Sequence, residues 1–121
     1  MAEAQNPKRF DLEERTYKFA RRTREFVRSL PKSMSNFEDA KQLIRASGSV
    51  GANYIEANEA LSKKDFVMRI KICRKESKES IYWLRLIDVE DSDVLEKDRQ
   101  RLVGEATEHM KIFSAIMRKS V

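Results

Sequence analysis

Residues 66–88, FVMRIKICRKESKESIYWLRLID, carry two apolar faces at helical pitch where an ordinary surface helix carries one. At about 100° per residue, Phe66, Ile70, Cys73, Ser77, Ile81, Leu84 and Ile87 fall within one arc. Met68, Ile72, Tyr82, Trp83 and Leu86 gather on the opposite side. One face suits an intrachain core and the other a partner. Ile70, Cys73, Ile81 and Leu84 are therefore predicted inside, and Met68, Ile72, Tyr82, Trp83 and Leu86 against a neighbouring subunit. Lys71, Arg74, Lys78 and Arg85 form a basic seam between them, with Arg69 and Glu76 on the far flank.

Three more helical stripes accompany this one. Residues 1–9 are polar and aperiodic, which predicts a flexible N-terminal arm over 1–10 and a bundle over 11–119. Asp11 and Glu14 have capping-box spacing, and Leu12, Thr16, Phe19, Ala20, Thr23, Phe26, Val27 and Leu30 follow at intervals of three and four, predicting a helix over 12–29. Its outer face carries Arg15, Lys18, Arg21, Arg22, Arg24 and Arg28 against Glu25 alone. Pro31 stops it. Asn36 is the predicted cap of a second helix, whose stripe runs through Phe37, Ala40, Leu43, Ile44, Ser47, Val50, Gly51, Tyr54, Ile55 and Asn58 and which closes at Ala60 and Leu61. Ser62 and Asp65 open the third helix, Asp91 or Ser92 the fourth, and Leu95, Leu102, Val103, Ala106, His109, Met110, Phe113, Ile116 and Met117 supply the last stripe, ending near Arg118. Four amphipathic helices with short connections predict an all-α, antiparallel up-down-up-down four-helix bundle.

Two features of the second helix call for a reason. Ser47, Gly48, Ser49, Gly51 and Ala52 lower helix propensity, each glycine by about 1 kcal/mol relative to alanine. A close helix crossing explains them, whereas a phosphate-binding loop would need a preceding strand and a Lys-Ser/Thr ending that are missing. Gln42, Arg45, Ser49, Asn53 and Glu56 also line up in one polar seam. It reads either as a solvated face or as a polar contact between subunits made through Arg45, Asn53 and Glu56.

The chemistry-bearing residues are few. One histidine and one cysteine in 121 residues give no metal-ligand cluster. The di-iron Glu-x-x-His pattern fails because Glu105 lies four residues before His109 and Ala106 holds the required place. His109 is predicted at the boundary of the core with one hydrogen bond, and Cys73 as a buried, inert thiol without a base. No enzyme activity and no cofactor or metal are predicted. The lone cysteine and the lack of a secretory h-region or a membrane-length apolar run predict a cytoplasmic protein without membrane association. A net charge of +5 suits anionic partners or plain solubility.

The run from Phe37 to Ile87 resembles the four-helix bundle family encoded in intervening sequences of bacterial 23S rRNA genes. The resemblance rests on Gln42-Leu43-Ile44-Arg45, residues 47–53, Glu56, the helix start at 62–66, and residues 76–84 ending in Tyr82-Trp83-Leu84. Asn58 departs from it, since many members carry glycine there. The resemblance implies a ring-like homo-oligomer, a homopentamer. It also implies kinship with the accessory protein of diversity-generating retroelements, a basic pentameric barrel that binds nucleic acid and a reverse transcriptase.

The functional expectation is a non-enzymatic oligomer that binds RNA or DNA phosphates through Arg15, Lys18, Arg21, Arg22, Arg24, Arg28, Lys71, Arg74, Lys78 and Arg85, as an accessory to a nucleic-acid enzyme. The alternative is a structural or protein-interaction bundle with no nucleic-acid role. Tyr17, Tyr82 and Trp83 are the aromatic candidates for stacking.

Overall fold

A computed structural model describes residues 7–120, with residues 7–10 described by backbone alone. Four helices account for nearly all of it: α1 (Pro7–Arg28), α2 (Met34–Asn58), α3 (Lys63–Leu86) and α4 (Asp93–Ser120). There is no strand among the described residues. Each helix packs on its neighbours in chain order, and α4 closes back on α1. Packing is most extensive between α2 and α3 and between α3 and α4, thinner between α1 and α2, and thinnest between α1 and α4.

The helix starts follow side-chain capping, with two revisions. Ser62 Oγ accepts from the Asp65 amide at 3.0 Å, and Ser92 Oγ accepts from the Leu95 amide at 3.1 Å, as the sequence predicts. At α2 the cap is Ser33, whose hydroxyl accepts from the Asn36 amide at 3.1 Å. Asn36 instead lies buried inside the first turn, and its amide donates to Pro31 O (3.0 Å) and Asp88 O (2.8 Å) while accepting from Asp88 N (2.9 Å). It thereby ties the α1–α2 and α3–α4 connections together. At α1 the helix begins at Pro7, a residue suited to a first turn, so Asp11 lies within the helix rather than at its cap and residues 7–10 of the predicted arm are helical. The remainder of that arm, residues 1–6, lies outside the described residues. α2 ends at Asn58, two residues before the predicted close.

The core has two apolar halves. Phe19, Phe26, Leu43, Leu84, Ile87, Val89, Leu95, Leu102 and Ala106 form one. Leu12, Val50, Tyr54, Ala57, Ile70, Cys73 and Phe113 form the other. Along every helix, the position between the two halves is a fully buried polar residue: Thr16, Ser47, Ser77 and His109. The three hydroxyls are satisfied within their own helices, by Leu12 O, Ile44 O and Cys73 O at 2.9, 3.2 and 2.8 Å. His109 is thus a central residue and not a boundary one. Ile81 and Trp83 are half-buried and pack on the first apolar half. Phe37 and Ile55, predicted on the buried stripe of α2, are exposed.

The small residues of α2 do serve a helix crossing. A Cβ added at Gly51 would stand 2.9 Å from Thr16 Oγ1, closer than real contacts allow, and a tight 3.3 Å from its Cβ. Gly48 faces the guanidinium of Arg24. Asn58 Nδ2 donates to Glu13 Oε2 at 2.8 Å, fastening the end of α2 to the start of α1.

Candidate nucleic-acid interface

Helix α1 divides its cations between two tasks. Lys18, Arg21, Arg22 and Arg28 are exposed, and none makes an ion pair or a side-chain hydrogen bond among the described residues. Arg15 is different. Its Nε and Nη2 reach both carboxylate oxygens of Glu105 on α4, at 3.1 and 3.0 Å, in a half-buried fork. Glu105 Oε2 also meets His109 Nε2 at 2.9 Å. Burial works to raise the Glu105 pKa, but the Arg15 hydrogen bond and the neighbouring charges outweigh it and hold the carboxyl below its usual range. Burial pushes His109 below its ordinary value despite that carboxylate, leaving the imidazole neutral near pH 7. A carboxylate can only accept, so Nε2 carries the proton and the buried, unpartnered Nδ1 presents a lone pair. Phe19 packs edge-on against the ring at 5.2 Å between centroids. Arg24 is half-buried and donates from Nη1 to Ala20 O at 3.1 Å.

Helix α3 presents its cations outward. Lys71, Arg74, Lys78 and Arg85 are exposed and likewise unpaired among the described residues. Lys75, by contrast, lies 3.7 Å from Glu76 and 3.6 Å from Glu79. Burial raises the Glu76 pKa, its largest influence, followed by the nearby Glu79 charge.

The second apolar face of α3 is partly covered by the chain itself. Met68, Tyr82 and Leu86 are exposed, whereas Ile72 and Trp83 are half-buried. Tyr82 and Trp83 form an edge-to-face pair at 5.0 Å. Arg69 Nη1 donates to Asn53 Oδ1 at 2.9 Å, and Asn53 Nδ2 donates to Ser49 O and Oγ, both at 2.9 Å. That link sets the polar seam of α2 beside the flank of α3 that carries Ile72 and Trp83 at helical spacing. Asn53 is therefore engaged within the chain, while Arg45 and Glu56 are exposed beside it.

Phe37 was not among the aromatic candidates read from the sequence, yet it is 64% exposed and has the Lys41 ammonium 4.8 Å from its ring centroid. Its place on an apolar stripe concealed it. Cys73 is fully buried, and burial pushes its thiol up to about 12. No group of three or more potential metal ligands occurs among the described residues. No described helix is long and apolar enough to cross a membrane.

A family model described as 23S rRNA-intervening sequence protein matches residues 8–115. Among solved structures, the chain is similar to a protein of unknown function from the S23 ribosomal protein family of Bacteroides thetaiotaomicron. The two share 28% identity and superpose with a TM-score of 0.79, over 92% of this chain and 98% of that one. No curated protein matches.

Proposed function

The chain belongs to the 23S rRNA-intervening sequence protein family, and from that premise we propose that it binds nucleic-acid phosphates through the outward cations of α1 and α3. The observation that carries this reading is the set of eight exposed side chains, Lys18, Arg21, Arg22, Arg28, Lys71, Arg74, Lys78 and Arg85, that no acid in the described chain neutralises. A chain that used positive charge only for solubility would gain by pairing such residues along its helices. Lys75 and Lys41 are paired in that way.

The protein acts by binding rather than catalysis, in the reducing cytoplasm, in keeping with its one inert thiol. Its helices alternate in direction, supported by the Asn58–Glu13 and Asn36–Asp88 links between ends distant in sequence. Copies associate into a ring, five by family resemblance, through the surface formed by Met68, Ile72, Tyr82, Trp83 and Leu86 with Arg45, Asn53 and Glu56. By the same resemblance, a reverse transcriptase or another nucleic-acid enzyme is the protein partner.

Titration into labelled structured RNA and duplex DNA at low and moderate salt tests the reading. Binding that weakens steeply with salt is the expected result. Its absence with both probes would leave a structural or protein-interaction bundle. Light scattering should give several times 14.2 kDa, and less for Leu86→Asp.

A further inference from the structure

We propose that the corner where α1 passes into α2 is a platform for single-stranded nucleic acid, with the Phe37 ring stacking an unpaired base and Arg28 and Lys32 holding the flanking phosphates. The proposal rests on the nucleic-acid reading above and names the kind of strand.

Phe37 occupies a position where a buried residue was predicted, yet nearly two-thirds of it meets solvent. An exposed phenyl ring gains little from its own fold and offers a flat surface to a ligand. The ring is not isolated. Lys41, itself paired with Glu38 at 3.5 Å, has its ammonium 4.8 Å from the ring centroid, which fixes a cation beside the aromatic surface.

Beside the ring lies an open notch of about 470 Å3, within the size range of small-molecule clefts. Val27, Leu30, Pro31 and Ala40 contribute apolar walls, and Arg28 and Lys32 stand at the rim. Apolar walls with a cationic rim match the two halves of a nucleotide, base and phosphate. Both rim cations are exposed and unpaired among the described residues.

The platform is held in shape before any ligand arrives. Asn36, adjacent to Phe37, is locked by its three hydrogen bonds to Pro31 and Asp88, so little ordering remains for binding to impose. From the notch, the outer line of α1 continues through Arg28 and Arg21 to Tyr17 at helical spacing. Tyr17 is 57% exposed and gives a second aromatic surface on the same path. Bases in a duplex are already stacked on one another and cannot use either ring, so the arrangement favours a single strand.

Three probes test this by fluorescence anisotropy at fixed low salt: a mixed-sequence single strand of about 16 nucleotides, the corresponding duplex, and inorganic polyphosphate, which has charge but no bases. The single strand should bind more tightly than the duplex. Phe37→Ala should weaken single-strand binding roughly 5- to 150-fold and leave duplex and polyphosphate binding unchanged, and Phe37→Trp should restore it. Lys32→Glu should weaken all three. Circular dichroism of Phe37→Ala should be that of the parent, because the ring is exposed. Equal single-strand affinity for Phe37→Ala and the parent, or equal affinity of the parent for single strand and duplex, would overturn the proposal while leaving phosphate binding intact. Absence of binding to every probe would overturn both.

Discussion

The α2–α3 seam and the α1–α4 seam join the same bundle by different means. Between α2 and α3, Leu43, Val50, Ile70, Cys73 and Leu84 are fully buried, and packing is the most extensive in the molecule. Between α1 and α4 packing is the thinnest, and clefts of about 330 and 590 Å3 lie along the seam. Arg15 lines one cleft and Glu105 the other, so the fork between them stands where the two clefts approach each other. An apolar seam draws its stability from area removed from water and is insensitive to pH. A polar seam depends on complete pairing, because each partner removed strands another buried group. α1 is therefore the helix most open to perturbation, and it is also the helix with the most cationic outer face.

The contrast can be broken first in the apolar seam. Leu84→Ala should cost about 2–5 kcal/mol by urea denaturation, the sum of lost transfer energy and an unfilled cavity. Glu105→Ala should cost about 1–3 kcal/mol, since it leaves Arg15 without its fork and the His109 N–H without an acceptor. A cost for Glu105→Ala above that for Leu84→Ala would reverse the ranking of the two seams.

Acid should weaken the polar seam. His109 is depressed below 6.5 in the fold, so the unfolded chain takes up its proton first as pH falls. Stability should be flat from about pH 6.5 up to 9.0, where the thiol of the unfolded chain ionises ahead of the buried one, and decline below about pH 6.5. Glu105, held below 4.5, adds its own loss only at still lower pH. In His109→Phe the decline between pH 6.5 and 5 should vanish, whereas in Leu84→Ala it should persist at lower overall stability. The smallest effect is a gain. Gly104 lies within α4 with nothing within 4 Å of an added Cβ, so Gly104→Ala should raise stability by about 0.5–1 kcal/mol.

Much of this architecture was legible because helical periodicity reports burial directly. The four stripes located four helices, and the glycines of α2 announced a crossing that the Gly51–Thr16 approach realises. What escaped were pairings between residues far apart in sequence. Asn36 has every local attribute of a cap, and only the fold brings Asp88 to it. Arg15 looks like its neighbours on α1 until α4 supplies Glu105. Periodicity also cannot tell a buried apolar side chain from an exposed one at the edge of a stripe, so it predicts Phe37 and Ile55 inside where the fold exposes them. His109 reads from the sequence as a boundary residue at the edge of an apolar stripe. In the structure, position prevails and Glu105 supplies the partner.

The most direct test compares two arginines six residues apart on α1. The slope of log affinity against log salt, measured with a single-stranded oligonucleotide, should flatten by about one phosphate contact in Arg21→Ala, with the unfolding midpoint unchanged. In Arg15→Ala the slope should be that of the parent and the unfolding midpoint should fall. Equal flattening in both variants, or in neither, would contradict the proposed division of α1 into a cation that holds the bundle and cations that hold a nucleic acid.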